Sequence, residues 1–322
     1  MKPESITLTV EGRNISAFHR RAFKPTGALA SAHDTAARKK RDASGSLDPG
    51  MKAQGTAPDD VEAARILCLH GWLDNAASFL PLMEHLPEAE IVAIDFPGNG
   101  LSEWLEGGYT LADMAHRARG VLDALGWDSC HLVGHSLGGG IASIMAVAMP
   151  DAIASLVMVD SVGSLSEEAE GLPARLQRAF GERADTDRFA SRTFADRDAA
   201  VEARLRATRM AQASARLIVE RQTVPTTGGW RWGFDPRWRH ASFHYFTEAQ
   251  VRSILTAVEV PTLTLLADDG FPASRVETED RLACLHYNKT LWLPGHHHTH
   301  MDEPAPVAAA IRKFISTVPV GD

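Results

Sequence analysis

Short apolar runs alternate with helical stretches along most of this chain, and this alternation restricts the fold more than any other feature of the sequence. Most of the runs lack polar side chains on either face, which is typical of strands in a parallel sheet that helices cover on both sides. They lie at residues 66–69, 91–94, 131–133, 156–159, 260–266 and 290–293, with predicted helices at 76–86, 111–125, 137–149 and 306–315. We therefore expect an α/β fold with a central, mostly parallel sheet and helices on both faces.

Three segments differ from this pattern. Residues 5–10 and 14–18 alternate apolar and polar side chains on either side of a turn, and they predict a β-hairpin. Residues 27–62 contain few large apolar side chains, so we predict a flexible insertion there, with a short helix as the alternative. Residues 163–247 contain charged helical stretches but no strand of the sheet, and they predict a helical cap or lid.

The length of 322 residues has room for about two domains, yet the strand pattern resumes unchanged after the second insertion. We therefore predict one core that is formed by residues 1–26, 63–162 and 248–322. Because the predicted lid joins two strands of the sheet, we expect it at the carboxyl ends of the strands, where open α/β sheets bind their ligands.

The composition argues against several classes of partner. With 33 Lys and Arg against 41 Asp and Glu, the net charge of −8 repels phosphate backbones, so we expect no nucleic-acid partner. Cys68, Cys130 and Cys284 are odd in number and widely spaced, which fits a reducing compartment and predicts a cytoplasmic protein. No stretch has the roughly 20 apolar residues of a membrane-spanning helix, so we expect no membrane span.

The sharpest chemical signal is the sequence Gly134-His135-Ser136-Leu137-Gly138, which fits the pattern G-x-S-x-G. A predicted strand precedes it and a predicted helix follows it, which is the context of a nucleophile elbow. The tight turn needs small residues on both sides of the serine, because side chains there would collide with the strand or the helix. The alternative is a glycine-rich turn that happens to contain a serine.

A serine nucleophile needs a base, and the base needs an acid that orients it. Four histidines within residues 296–300 supply a base, although such a tract also resembles a metal site. We disfavour the metal because no other ligands stand at a suitable spacing.

Asp160 and the pair Asp268 and Asp269 each end a predicted strand, and the residues alone leave the choice of acid open. Asp95 also ends a strand, but it precedes the serine and is expected to brace the turn that follows it.

Backbone N–H groups that could bind an oxyanion are predicted from two loops. In an elbow hydrolase one donor is the residue after the serine, here Leu137, and the other lies in the loop after the first parallel strand, here Trp72. Trp230 and Trp232 belong to an aromatic stretch of the predicted lid, and we expect them to form part of an apolar substrate-binding surface. His135 is expected to point away from the site and to be a packing residue.

These motifs together resemble the α/β-hydrolase superfamily, and within it the chain is similar to the serine hydrolase-like protein family. The similarity covers most of residues 63–162 and 258–315. His-Gly-Trp-Leu-Asp-Asn, at residues 70–75, is specific to the neighbourhood of this family, whereas G-x-S-x-G occurs throughout the superfamily. The residues that carry the resemblance are 67–79, 95–102, 134–139 and 297–301.

The resemblance selects a base and complicates the choice of acid. The superfamily's catalytic histidine commonly stands seven positions before a proline that opens the last helix, which implies His297 ahead of Pro304. The usual acid position, nine residues after Pro261, holds Gly270 in this chain. Either a shift of one residue lets Asp269 serve, or the acid has moved to Asp160.

The motifs and the resemblance together predict a cofactor-independent serine hydrolase with a Ser-His-Asp triad. We expect it to cleave a small-molecule carboxylic ester with an apolar acyl or alcohol group through an acyl-enzyme. Ser136 in place of an aspartate argues against the chemistry of epoxide hydrolases and dehalogenases. The alternatives are a non-catalytic ligand-binding protein on the same scaffold, a metal-dependent enzyme, and a hydrolase of a thioester, an amide or a carbon–carbon bond.

Overall fold

The structure is a computed structural model that describes residues 2–23, 63–185 and 192–318. The predicted insertion at 27–62 lies outside the described residues. The strands are β1 (Glu4–Val10), β2 (Arg13–Arg20), β3 (Arg65–Leu69), β4 (Glu90–Ile94), β5 (Cys130–His135), β6 (Ile153–Val159), β7 (Thr223–Thr226), β8 (Gly229–Trp232), β9 (Thr262–Asp269) and β10 (Asn288–His296).

Eight of these strands form one sheet in the order β1-β2-β4-β3-β5-β6-β9-β10. The β1–β2 hairpin is antiparallel and joins β4 in antiparallel fashion, whereas all neighbours from β4 to β10 run parallel. The predictions of a hairpin followed by a mostly parallel sheet are confirmed. The carboxyl ends of the parallel strands therefore meet at one edge of the sheet.

Helices connect the strands and follow most of the sequence predictions. They are α1 (Leu80–Glu84), α2 (Leu111–Leu125), α3 (Leu137–Ala148), α4 (Leu172–Ala184), α5 (Arg197–Ala207), α6 (Gln212–Gln222), α7 (Glu248–Thr256), α8 (Thr278–Leu282), α9 (Thr299–Asp302) and α10 (Pro304–Ile315). The helix predicted at 111–125 is confirmed, and Gly126 ends it in the left-handed conformation with φ 66°. Within the described ranges, no helix is long and apolar enough to cross a membrane.

The strands are apolar because both faces of the sheet are covered. On one face Leu67, Val92 and Leu132 pack with the buried sides of α2 and α3. On the other face the neighbouring residues Ile66 and Ile91 pack with α1 and α10. Successive side chains of a strand thus enter different apolar layers, which explains why these strands show no alternation of apolar and polar residues.

Residues 163–247, which we call the inserted segment, contribute no strand to the eight-stranded sheet in their described part. Its described helices are α4, α5 and α6, and it also contains the small antiparallel hairpin β7–β8, which the sequence analysis did not predict. A turn at Gly228, with φ 84°, joins the two short strands of that hairpin.

Buried polar contacts hold the inserted segment on the loops at the carboxyl ends of the strands. Arg221 of α6 forms a buried ion pair of 2.8 Å with Asp95, which follows β4. The Asp95 carboxylate also accepts a hydrogen bond from the N–H of Leu101, so Asp95 braces its own turn as predicted. Gln222 accepts a hydrogen bond from the side chain of Asn75 in the loop after β3. The inserted segment therefore covers the edge of the sheet at which the strands end.

Because the central strands are buried, we expect a shortened side chain there to lower the free energy of unfolding strongly. Leu67 lies in the middle of β3 and is fully buried. We expect Leu67→Ala to lower the free energy of unfolding by about 2 to 5 kcal/mol, because the lost contacts leave a cavity. Urea denaturation followed by circular dichroism measures this change. Val276→Ala is the control, since the Val276 side chain is 96% exposed, and an equal loss in both variants would contradict the assigned core.

A histidine in β5 predicts a dependence of stability on pH. Burial lowers the pKa of His131 to about 4. Between about pH 6.5 and pH 4 the unfolded chain therefore binds a proton that the folded chain does not, so the free energy of unfolding falls as the pH is lowered through this range. We expect His131→Gln to reduce the slope of the free energy of unfolding against pH by an amount on the order of 1 kcal/mol per pH unit. Urea titrations across this range test it against His286→Gln on the exposed surface, and identical slopes in wild type and His131→Gln would overturn it.

Candidate active site

Ser136 stands in a sharp turn between β5 and α3. Its backbone has φ 52° and ψ −116°, a conformation that is rare outside glycine and that collects at functional sites. The glycines around it are required by close packing. A Cβ atom at Gly134 would lie 2.4 Å from the carbonyl oxygen of Gly138, and one at Gly138 would lie 2.0 Å from that of Leu69. The turn has the geometry of the predicted elbow.

His297 joins Ser136 to a buried aspartate. The Ser136 hydroxyl lies 2.9 Å from Nε2 of His297, and Nδ1 of His297 lies 2.5 Å from Oδ2 of Asp160. Asp160 also accepts hydrogen bonds from the N–H groups of Ala267 and Phe271, which fix the carboxylate. If Nδ1 carries the proton and donates it to the carboxylate, Nε2 is free to accept the proton of the serine.

The structure brings Asp160, and not Asp269, to His297. The carboxylate of Asp269 is exposed at the end of β9, where it pairs with Arg209 at 2.6 Å and with His296 at 3.3 Å. Gly270 explains the departure from the superfamily pattern. A Cβ atom at this position would lie 2.1 Å from Oδ1 of Asp160, so the Asp160 carboxylate fills the space that a side chain at 270 would need.

The two backbone N–H groups predicted to bind an oxyanion come from two different elements. Leu137 is the first residue of α3, and Trp72 lies in the loop after β3. The close contact of Gly138 with Leu69 and His70 holds this loop against the start of the helix. Among the described residues, no hydrogen bond from either N–H group to another part of the backbone is seen. Their role as oxyanion donors stays a prediction.

Three aromatic residues bear on the expected substrate-binding surface. Trp230 and Trp232 lie in β8 of the inserted segment. The guanidinium of Arg197 stacks 3.9 Å from the ring centre of Trp230, and Phe194 packs against Trp232. Phe271 also lies beside His297, with 6.1 Å between the ring centres. The sequence analysis missed Phe271, although its place just after β9 and Gly270 was a usable signal. Substrate contacts of the two tryptophans stay a prediction.

A second group of polar side chains is buried directly behind His297. Nε2 of His298 donates to Oδ2 of Asp74 at 3.1 Å, and Nδ1 of His135 lies 3.5 Å from the same oxygen. Nε2 of His135 donates to the backbone oxygen of His297 at 2.8 Å. His135 is therefore not the simple packing residue that the sequence suggested, because it binds the backbone of the candidate base.

The buried environment sets the charges of this group. Burial lowers the pKa of His135 to about 4 and that of His300 well below 6.5, so both rings are neutral at pH 7. Burial opposes ionisation of Asp74, but the charges of His298 and Arg204 and the hydrogen bond from His298 outweigh it, and the pKa of Asp74 lies well below its usual value. Asp74 is therefore an ionised carboxylate inside the protein.

Asp74, His135 and His298 have the donor chemistry of a metal site, and their ligand atoms lie within 4.8 Å of one another. A cation already occupies the neighbourhood, however, because the guanidinium of Arg204 binds Oδ1 of Asp74. A divalent ion placed beside this guanidinium and one carboxylate would leave two positive charges unbalanced in a buried place. The residues therefore fit the arginine better than a metal ion.

Comparisons with known proteins agree with the fold and with the family that the sequence resembles. A family model described as alpha/beta hydrolase fold matches residues 64–304. A serine hydrolase-like protein of Dictyostelium discoideum is 31% identical over 289 residues, which cover 84% of this chain and 79% of that protein. A serine hydrolase-like protein of Danio rerio is 28% identical over 264 residues, which cover 78% of this chain and 81% of that protein.

Solved structures show the same architecture. A hypothetical protein of Pseudomonas aeruginosa PAO1 superposes with a TM-score of 0.78 at 28% identity and covers 98% of this chain and 99% of its own. The thioesterase domain from the curacin biosynthetic pathway superposes with a TM-score of 0.75 at 21% identity, with coverage of 97% and 100%, and so shares the fold. By its fold, its family match and its relatives, the chain belongs to the α/β-hydrolases and, among them, to the serine hydrolase-like proteins.

Proposed function

We propose that this protein is a serine hydrolase that cleaves a carboxylic ester of a small molecule through an acyl-enzyme. The observation that carries the proposal is the hydrogen-bonded chain from Ser136 through His297 to Asp160, with its base already 2.9 Å from the serine hydroxyl. A serine and a histidine at this distance are in reach for proton transfer without rearrangement.

Each residue has a defined part in the proposed reaction. Oγ of Ser136 attacks the ester carbonyl carbon while Nε2 of His297 takes the hydroxyl proton. The tetrahedral intermediate collapses, and His297 returns the proton to the leaving alcohol. Water then attacks the acyl-enzyme with His297 again as base, which releases the carboxylic acid and restores the serine. Asp160 holds the ring of His297 and stabilises its positive charge.

The Trp72 and Leu137 N–H groups would bind the oxygen that becomes negative during both steps. A preorganised donor of this kind is typically worth about 3 to 4 kcal/mol in the transition state. Both are backbone groups, so side-chain replacement leaves the donors in place. The reaction as written needs no cofactor and no metal ion.

Exposed apolar side chains around the serine favour an apolar substrate group. Trp72 and Phe271 are both about half exposed although they stand beside the residues of the proposed reaction. Leu165 is similarly exposed in the segment that follows Ser164, whose backbone packs against α3 at Gly140. Large apolar side chains left open at one place are typical of a binding surface. We propose that they bind the acyl or alcohol part, with the inserted segment as the lid.

The proposed nucleophile predicts the outcome of covalent labelling. A fluorophosphonate probe should label the wild type and leave Ser136→Ala unlabelled, because the probe reacts with an activated serine. Hydrolysis of a chain-length series of p-nitrophenyl esters should fall by about 10⁶-fold in kcat in Ser136→Ala. Ser253→Ala, on an exposed part of α7, is the control. Equal labelling of wild type and Ser136→Ala would refute Ser136 as the nucleophile. Absence of ester turnover with tight retention of a ligand would instead indicate a non-catalytic binding protein.

The proposed acid predicts a contrast between two aspartates. Asp160→Asn should lower kcat by about 10⁴-fold, because the amide favours the wrong tautomer of His297. Asp269→Asn should change kcat by less than about twofold, since it removes only an exposed ion pair. Equal small losses in the two variants would refute the assignment of the acid.

The space shared by Asp160 and Gly270 allows the acid to be moved. Asp160 has φ 45°, a backbone conformation that suits glycine, and a side chain at 270 would enter the space that the Asp160 carboxylate leaves. We expect the double variant Asp160→Gly with Gly270→Asp to have a kcat at least about tenfold higher than that of Asp160→Gly alone. Ester hydrolysis by the single and double variants measures the recovery, and no recovery would mean that position 270 does not face His297.

A further inference from the structure

The buried ion pair of Asp74 and Arg204 joins the inserted segment to the loop after β3. Arg204 belongs to α5, and its side chain is 11% exposed, whereas that of Asp74 is 1% exposed. Arg204 also donates from Nη1 to the backbone oxygen of Leu73 at 3.3 Å. Leu73 has φ 57°, which is uncommon for a bulky residue and needs support from its surroundings. One guanidinium thus fixes two neighbouring residues of this loop.

Asp74 touches residues next to each of the three parts of the proposed site. Its carboxylate binds His298, the residue after His297, and lies 3.5 Å from His135, the residue before Ser136. Asp74 itself stands two residues after Trp72, in the same loop. Its backbone N–H donates to the oxygen of Gly71, which closes the turn that holds Trp72. No residue of this group needs to touch the substrate.

We propose that Asp74 and Arg204 are positioning residues that align the nucleophile, the base and the Trp72 donor, and that Arg204 makes this alignment depend on the docked inserted segment. The proposal rests on the proposed function for its effect on turnover. Its structural part, the joint ordering of the loops at residues 70–75 and 297–301, does not depend on any activity.

The charge of Asp74 explains why the alignment of the site depends on Arg204. A buried carboxylate without a cation is costly, and removal of one partner of a buried pair leaves that cost uncompensated. When α5 is undocked, the Asp74 carboxylate loses its guanidinium partner and is drawn toward water, which loosens its contact with His298 and the turn at Trp72. The rings of His135 and His300 are neutral at pH 7, so without Arg204 the carboxylate is left with His298 alone as its charged partner.

The pair Arg209 and Asp269 offers a matched control. It also joins an arginine near the end of α5 to a carboxylate of the core, at 2.6 Å, but the side chains are 71% and 69% exposed. Exposed pairs contribute little, because water and salt screen their charges. Arg209→Met therefore removes an arginine between the same two parts of the molecule without exposing a buried charge.

The experiment compares Arg204→Met, Arg204→Lys and Arg209→Met in the full-length protein. With p-nitrophenyl acetate we expect Arg204→Met to lower kcat by about 100-fold and to change KM little, as expected when reacting groups are displaced by about 1 Å. Arg204→Lys should have a kcat between those of the wild type and Arg204→Met, because it keeps the positive charge. Millimolar guanidinium chloride should raise the kcat of Arg204→Met and leave that of Arg209→Met unchanged. Equal kcat values in Arg204→Met and Arg209→Met would overturn the proposal.

Hydrogen–deuterium exchange separates this proposal from the proposed function. In Arg204→Met the amides of residues 70–75 and 297–301 should exchange faster together, whereas Arg209→Met should leave both loops as in the wild type. If the fluorophosphonate probe fails to label wild-type Ser136, the proposed function is wrong, and the exchange data still decide the positioning claim. Unchanged exchange in both loops of Arg204→Met would overturn it. If Arg204→Met does not fold, Arg204→Lys provides the same comparison of the two loops.

Discussion

The close packing of α3 on the end of β3 is the contact on which the rest of the site depends. No side chain fits at Gly138, where a Cβ atom would lie 2.0 Å from the oxygen of Leu69. Ser136 adopts a positive φ of 52° two residues before this contact, and the loop that holds Trp72 begins directly after Leu69. The close packing therefore joins the turn of the proposed nucleophile to the start of the loop that holds one proposed oxyanion donor, and the sheet supplies the rigid support that such a turn needs.

Two buried carboxylates serve this turn in different ways. Asp160 receives backbone N–H groups from the end of β9 and faces His297. Asp74 receives a guanidinium from the inserted segment and faces His298, one residue further along the chain. Because His297 and His298 are neighbours, the two carboxylates act on adjacent sections of one loop. The core therefore holds the candidate base from one side and the inserted segment reaches it from the other.

Local patterns predicted those features that depend on neighbouring residues in the chain. The helix at 111–125 and its glycine cap followed from spacing and from one residue type. The choice between Asp160 and Asp269 could not follow in the same way, because both aspartates lie at the ends of strands that are neighbours in the sheet. The missed hairpin β7–β8 has only four residues in each strand and belongs to a separate sheet, so it left no periodic signal in the sequence.

The sequence by itself determined the α/β architecture and the elbow at Ser136, since apolar periodicity and the steric demands of glycine act over a few residues. The resemblance to relatives added His297. Only the tertiary structure decided that Asp160 is the carboxylate hydrogen-bonded to His297 and that the Asp269 side chain is exposed. It also decided that Arg204 of the inserted segment pairs with Asp74. These pairings join residues that are 60 to 137 positions apart. Their energy depends on burial and distance, which no local stretch of the sequence contains.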